Sequence, residues 1–341
     1  MKTAVIIPTR NASPDFGLLL ERLQSQSLVP DEICIYDTAS SNGTVQAAQA
    51  RGVRVVPVSP ADFNHGATRE WARRKTSADI VIFMTQDAIP VDDRLIENLV
   101  QPILSGSASI SYARQVPRPG AGVFEAFPRS FNYPSQSQLR GIEDARRFGV
   151  YTFFSSDSCS AYLNAALDEV GGFRPTLTSE DYLAAARLLR RGHRIAYAAD
   201  AVVQHSHSYT LIEEFQRYFD TGYVRGENPW VEEAVGQAEG RGKEYFLALL
   251  RHLVQEHPWL VPYAVVNTLV KLLGYRAGHR ALRAPRWWKK ALSSQPYYWD
   301  SRHCRTGIWS TEFRFEDLDY PGAAESQPRL RHQKRGPRPL N

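Results

Sequence analysis

The sequence predicts an α/β fold, a mostly parallel central sheet flanked by helices with a helical C-terminal extension. Three observations lead there. Strand-like and helix-like patterns alternate through the first third of the chain, and strands alternating with helices of roughly 10 to 15 residues imply a parallel sheet with helices on both faces. Each apolar run there ends on small or polar residues, at the strand exits where open sheets bind their ligands. Beyond Ser208 the pattern changes to apolar residues three and four apart, the signature of helices.

Taken in order, TAVIIP is the first strand and FGLLLERLQSQ a helix with Ser13 or Asp15 available to cap it. EICIYD is the second strand, GTVQAAQARG a short helix ending on Gly, and VRVVPVS the third strand. GATREWARRKT is a helix, DIVIFMT the fourth strand, and DDRLIENLVQPIL closes the series. Further on, ASISYAR reads as a strand, and PGAGVFEAFPRSFNYPSQSQ as a loop or short helix able to close over a site. YTFFSSDSCSAYLNAALDEVGGF holds a strand, a polar bend, a short helix and a Gly-Gly turn. SEDYLAAARLLRRG is a capped helix, and the strand after it ends near His205. LIEEFQRYFDTG, GKEYFLALLRHLVQEHP and WLVPYAVVNTLVKLLGYRAGHR carry helical apolar stripes. The run from Trp259 to Tyr275 contains Pro262, Asn267 and Lys271 and is short for a bilayer span, so a core or interfacial helix is expected.

The bulk composition limits the function classes. With 341 residues, 43% hydrophobic and 23% charged, the chain is long enough for one large domain or two smaller ones of soluble type. MKTAVIIPTR reads as a first strand rather than a secretory signal, and a cytoplasmic setting is expected. Cys34, Cys159 and Cys304 lie far apart, which supports neither a zinc ribbon nor a disulfide framework. The net charge of +5 is concentrated late, in RAGHRALRAPRWWKK and RLRHQKRGPRP. Such patches suit anionic lipid, nucleic acid or plain solvation. The sequence lacks GxGxxG after the first strand, GxxxxGK[ST] and GxSxG, so dinucleotide, P-loop and serine-hydrolase chemistries are unsupported.

Several side chains stand where chemistry is expected. Asp37 ends a strand before TASSNGT; it suits a pyrimidine imide N–H or ribose hydroxyls, or an Asx-turn. Glu180 and Asp181 open a helix, as dipole-stabilising acids or as a rigidly held general base. His205 and His207, two apart at a strand end, share a face and suit a metal or a phosphate, or plain half-buried packing. Asp87 ends the run DIVIFMTQD alone.

The order IIPTRN, YDTASSNGT, FNHGATR, TQDA, GGF with SED, and QHSH resembles the family 2 glycosyltransferases, inverting enzymes of the GT-A fold. FNHGATR, TQDA, FFSSDSCSAY and RYFDTGY resemble the branch that uses dTDP-L-rhamnose. The resemblance covers about residues 3 to 225. It implies a catalytic domain over 1–208, with a nucleotide-sugar half to about 105 and an acceptor half from about 106. A helical region over 209–321 and a poorly ordered basic tail over 322–341 follow.

Carried over residue by residue, the resemblance implies that Pro8, Thr9 and Arg10 line the nucleotide pocket and that Asp37 binds base or ribose. Asn64, His65, Gly66 and Arg69 would sit near the diphosphate or sugar, with Arg69 forking onto phosphate. Gln86 would touch the donor, and Asp157 the donor sugar or the acceptor. Asp87 with His205, and less directly His207, would hold Mg²⁺ or Mn²⁺ against the donor diphosphate, a histidine ligand tilting the choice to Mn²⁺. Asp181, with Glu180 beside it, would deprotonate the acceptor hydroxyl. The sequence departs from the family at Thr85, where the first acid of D-x-D is usual, and at Thr38 and Asn42.

The implied partners are a nucleotide-sugar donor, dTDP-L-rhamnose favoured, and a bacterial surface glycan as acceptor, carried on polyprenyl diphosphate. No nucleic-acid partner is expected. The rival readings are a UDP-hexose donor, a nucleotidyltransferase, and a non-catalytic sugar-nucleotide binder. The C-terminal helices would pack on the catalytic domain, dimerise, or lie on the inner face of the plasma membrane through Trp259, Trp287, Trp288, Lys289 and Lys290.

Overall fold

The structure, a computed structural model, describes residues 1–235 and 239–305. The tail expected to be poorly ordered lies outside them. The first half runs β1 (Thr3–Thr9), α1 (Phe16–Gln24), β2 (Glu32–Asp37), α2 (Thr44–Gln49), β3 (Arg54–Pro57), α3 (His65–Arg74), β4 (Ile80–Met84), β5 (Ile89–Pro90) and α4 (Leu95–Leu104). Then come β6 (Ile110–Val116), α5 (Val123–Asn132), β7 (Gln138–Arg140), α6 (Ala145–Phe148), β8 (Cys159–Leu163), α7 (Asn164–Glu169), α8 (Glu180–Leu189) and β9 (Ile195–Gln204). The C-terminal helices are α9 (Leu211–Glu227), α10 (Pro229–Val235), α11 (Glu239–Glu256), α12 (Val261–Arg280), α13 (Arg286–Leu292) and α14 (Arg302–Arg305).

The strands form one sheet in the order β3-β2-β1-β4-β8-β6-β9-β5, with β7 on β9. β1 pairs in parallel with β2 and β4, as do β2 with β3 and β6 with β9. β8 runs antiparallel between β4 and β6. Parallel strands covered on both faces read as continuous apolar runs, and β4, IVIFM, is buried at every position. Successive side chains alternate between faces. Val5 and Ile7 accordingly join α1 and α4 in one apolar cluster, while Ile6 joins α3 and α8 in another. That second cluster continues into Phe219, Tyr223 and Trp299, so the C-terminal helices share a core with the sheet.

Glycines set how closely α9 and α12 cross. A methyl at Gly222 would meet the Tyr275 carbonyl, at Gly278 the Phe219 carbonyl, and at Gly274 the Phe215 carbonyl. The spacing Gly222-x-x-x-Gly226 against Gly274-x-x-x-Gly278 thus lets two backbones touch. Thr210 starts α9 with a capping box to Glu213. At α1 neither expected cap forms: Asp15 holds the N-cap position without a side-chain bond, and the Phe16 N–H donates to the Ser13 carbonyl instead. Ser179, at the N-cap of α8, makes no side-chain cap either, because its backbone is left-handed at φ 63°.

Candidate active site

The parallel strands β1, β2 and β4 deliver their C-terminal residues to one edge. Thr9 pairs with Asp37 in register, and its hydroxyl donates to Asp37 Oδ1 at 2.9 Å. Ser40 adds its hydroxyl to Oδ1 and its N–H, at 2.9 Å, to Oδ2. The Asx-turn is therefore present, and Oδ2 keeps acceptor capacity. Gln86 spans to the Arg10 backbone, accepting from its N–H at 2.9 Å and donating to its carbonyl at 3.2 Å. Pro8 is the penultimate residue of β1, opposite Tyr36. Asn11 and Ala39, in the loops after β1 and β2, hold positive φ of 47° and 53°, conformations that cost about 1 kcal/mol or more in a non-glycine residue.

Next to this edge lies a cleft of about 650 Å³. Among its lining residues Asp87, His205 and His207 converge, with one ligand atom from each within 4.8 Å of the others. Asp87 Oδ2 is 3.1 Å from His207 Nε2, and Oδ1 is 3.5 Å from His205 Nε2. Burial raises the Asp87 pKa, but hydrogen bonds and charge from His205 and His207 outweigh it and hold the carboxyl well below the usual range. Burial also lowers the His205 pKa, against the opposing pull of the Asp87 carboxylate. Gln115 Nε2 donates to Ser156 Oγ at 2.8 Å, so its Oε1 faces His205 Nδ1 at 2.9 Å. Nδ1 therefore carries a proton, and Nε2, which faces Asp87, is the atom that would give up its proton and turn a lone pair to a cation, the arrangement metal-ligating histidines show. The Thr85 hydroxyl, buried beside this group in the cleft wall, has no protein hydrogen-bond partner. One carboxylate and two imidazoles, the Nδ1–H of His205 held by Gln115, fit a divalent cation.

Glu180 and Asp181, at the first turn of α8, line the same cleft. The GGF turn aims them. Gly171 and Gly172 hold φ of 73° and 68°, and the Phe173 N–H donates to the buried Glu70 carboxylate at 2.8 Å. Glu70 also takes two bonds from Arg73, at 2.6 and 2.7 Å. Gly66 lets α3 come against the same segment, since a methyl there would strike the Arg174 carbonyl. Asn64 caps α3 by accepting from the Ala67 N–H at 3.1 Å and ties the segment from the other side by donating to the Thr176 carbonyl at 2.8 Å. Asn64 and Gly66 thus build the wall on which Glu180 and Asp181 sit. His65 follows Asn64 into the cleft, its pKa lowered by burial.

Arg69, expected to fork onto phosphate, lines the cleft with its guanidinium committed to protein carboxylates. Nη1 donates to Glu180 at 2.5 Å, and Nε lies 3.2 Å from Asp157 Oδ2. Asp157 is 2% exposed, and its Oδ1 accepts from Ser160 and Tyr162 at 2.6 and 2.7 Å. Its side chain is thereby bound within the protein. Its backbone N–H donates to Asp181 Oδ2 at 3.2 Å, and the Tyr182 N–H donates to Oδ1 at 2.7 Å. Burial, then the Glu180 and Asp157 charges, push the Asp181 pKa up to about 8. Burial pushes the Asp157 carboxyl beside it up as well, and raised carboxylates in a cleft are a common feature of acid–base sites.

Residues 4–171 match the glycosyl transferase family 2 profile. Over 304 residues the chain is 36% identical to the O-antigen chain rhamnosyltransferase RfbN of Salmonella typhimurium, covering 88% of this chain and 97% of that one. The chain belongs to glycosyl transferase family 2. It is also 33% identical to the O-antigen chain rhamnosyltransferase WbaN of Salmonella anatum, over 87% of this chain and 95% of that one. The fold of this glycosyltransferase is of GT-A type. It is similar to the mannosyltransferase PcManGT of Pyrobaculum calidifontis, solved with GDP-Man and Mn²⁺, at a TM-score of 0.52 and 19% identity over 90% of this chain and 87% of that one. It is similar too to S. aureus TarS 1-349, at 0.50 and 18%, over 83% and 91%.

Sequence reasoning missed part of this glycosyltransferase's cleft. Gln115 lines it from β6, Arg129 from α5 and Tyr133 from just beyond α5, and Arg217, Arg225 and Lys271 from α9 and α12. Lys271 Nζ lies 3.1 Å from Glu214, and Arg217 stacks over the Tyr209 ring. A signal existed for the last three: the paired Gly-x-x-x-Gly spacing predicts that α9 and α12 cross closely and act as one wall.

Proposed function

We propose that this glycosyltransferase moves L-rhamnose from dTDP-L-rhamnose, with inversion at the anomeric carbon, onto a hydroxyl of a bacterial surface glycan carried on polyprenyl diphosphate. The observation that carries the reaction type is one cleft lined by a cation-competent Asp87–His205–His207 group and by Asp181, a carboxylate with its pKa near 8. The rhamnosyl donor and O-antigen acceptor are supported by the names of two relatives aligned over most of the chain.

Asp87, His205 and His207 would hold Mg²⁺ or Mn²⁺, with the Thr85 hydroxyl beside them. When bound, the cation offsets negative charge on the departing diphosphate. Thr9, Arg10, Asp37 and Gln86 bound the pocket for thymine and ribose at the strand ends, with Pro8 shaping the turn. His65 faces the sugar. Asp181 Oδ takes the proton of the acceptor hydroxyl as its oxygen attacks the anomeric carbon. The bond from that carbon to the diphosphate oxygen breaks, and the electron pair leaves with dTDP. Glu180, Arg69 and Asp157 act as positioning residues that hold Asp181 and set its proton affinity. Arg217 and Lys271, which share the Glu214 carboxylate, present their remaining positive charge to an anionic acceptor.

A nucleotide-sugar screen tests the donor. dTDP-L-rhamnose is expected to raise the melting temperature and turn over, ahead of UDP-glucose and UDP-galactose. A preference for the UDP sugars removes the rhamnosyl assignment and leaves the reaction class.

A further inference from the structure

α12 has two unlike flanks. On one, Asn267 and the glycines Gly274 and Gly278 are buried, where α12 crosses α9, and Lys271 reaches the cleft. On the other, Val265 is 38% exposed, Val266 46%, Leu269 52% and Leu273 60%. Val265, Leu269 and Leu273, then Arg276 and Arg280, recur at spacings of three or four, so they form a single stripe. Trp259, just ahead of the helix, is 70% exposed. A water-facing helix normally turns charged residues outward; this one turns out aliphatic residues and ends in arginines.

The surrounding charge is one-sided. From His257 to Trp299 the chain has seven Lys and Arg and no Asp or Glu. Arg276, Arg280 and Arg283 are exposed. The Trp288–Lys289 pair expected at a headgroup layer faces inward instead. Trp288 packs on Phe219, and Lys289 is 9% exposed and donates to the Leu282 carbonyl at 2.8 Å. No described helix is long and apolar enough to cross a membrane.

We infer that the outer stripe of α12, with Trp259 at its head and Arg276, Arg280 and Arg283 at its foot, docks on the surface of an anionic phospholipid bilayer. Aliphatic side chains enter the headgroup boundary and the arginines pair with lipid phosphates, the pattern of an interfacial helix. The charge selects this occupant: a second copy would bring its own basic stripe against this one. The same helix carries Lys271 into the cleft on its opposite flank, so docking holds the cleft one helix thickness, roughly 10 Å, from the membrane surface. There a lipid carrier presents its diphosphate and first sugars together. This last link rests on the proposed acceptor; the docking itself does not.

The test is co-sedimentation of the full chain with phosphatidylcholine vesicles, with and without phosphatidylglycerol. Binding is expected only with phosphatidylglycerol and is expected to weaken in high salt. Leu269→Glu/Leu273→Glu should cut partitioning at least about tenfold, with the melting temperature and transfer to a water-soluble acceptor unchanged. The milder Leu269→Ser/Leu273→Ser gives the same direction should the first pair fold poorly. Wild-type protein that ignores phosphatidylglycerol vesicles, or variants that bind them equally, overturns the inference. So does a dimer that the same substitutions dissolve in protein that never binds vesicles. Vesicle binding without transfer to the soluble acceptor strikes the proposed reaction and leaves the docking surface standing.

Discussion

Asp181 keeps its proton up to about pH 8 because it is buried beside Glu180 and Asp157, and a base must be ionised to act. The account therefore predicts that kcat/KM climbs with pH along a limb centred near 8 and levels above it. Glu180→Gln removes one of the two like charges and releases Arg69, 2.5 Å from Glu180, to act on the remaining carboxylates. Both changes favour the ionised form of Asp181, so the limb moves to lower pH. Two unit charges 4 Å apart interact by about 4 kcal/mol at an effective dielectric of about 20. That figure corresponds to a downward shift of at most about three pKa units, and solvent in the open cleft weakens it, so a shift of at least about one unit is expected. Arg69→Met has the opposite sign: it leaves Glu180 and Asp157 uncompensated and moves the limb up. The assay is the initial rate of nucleoside diphosphate release at low donor concentration across the pH range. A limb that stays put in both variants, or moves the same way in both, refutes Asp181 as the titrating base or the carboxylate–arginine group as its control.

Four further outcomes follow from the same geometry. Asp181→Asn should lower transfer by roughly 10² or more while raising stability. Between the unfolded value of 3.8 and the folded value of about 8, the unfolded chain ionises first, so wild-type stability falls as pH rises through that window. The melting-temperature gain of the variant should therefore be larger at pH 8 than at pH 5. Asp87→Ala or His205→Ala should abolish divalent-dependent donor binding in calorimetry, and unchanged binding in EDTA would sink the cation assignment. Gln115→Leu should weaken divalent-cation affinity about 10- to 100-fold by freeing the His205 tautomer, read by titrating activity with Mn²⁺. Gly278→Ala, which forces a methyl into the Phe219 carbonyl, should cost about 1–3 kcal/mol in denaturant unfolding and raise KM for the acceptor by shifting Lys271.

The parallel half of the sheet could be read in advance because every strand there is an apolar run ended by a polar exit and followed by a helix. β5 and β7 could not, since pieces of two and three residues become strands only through pairing with β9. Asp87, His205 and Asp181 were visible as isolated polar groups at element ends. Arg69 was visible too, but its partner Glu180 lies 111 positions away, and local sequence says nothing of that distance. A phosphate contact was the natural expectation for an arginine near a sugar-nucleotide site; burial between two carboxylates made it an organiser of acids. Gln115 was hidden because a polar residue inside a strand reads as an ordinary solvent-facing position. The outward aliphatic face of α12 was hidden because an apolar stripe reads as the buried side of a helix, whereas here Asn267 and the small residues Ala264, Gly274 and Gly278 are buried and the stripe faces out.

The most direct test of the central claim is the anomeric configuration of the product, read by NMR after transfer from dTDP-L-rhamnose to a glycan acceptor with Mn²⁺ or Mg²⁺ present. With Asp181 as the single base and the Asp87–His205–His207 group holding the diphosphate, the proposed reaction has the acceptor oxygen displace the diphosphate from its opposite face. The account predicts one product with the configuration opposite to the donor's, lost in Asp181→Asn. A product that retains the donor's configuration, or transfer that persists undiminished in Asp181→Asn, would contradict it.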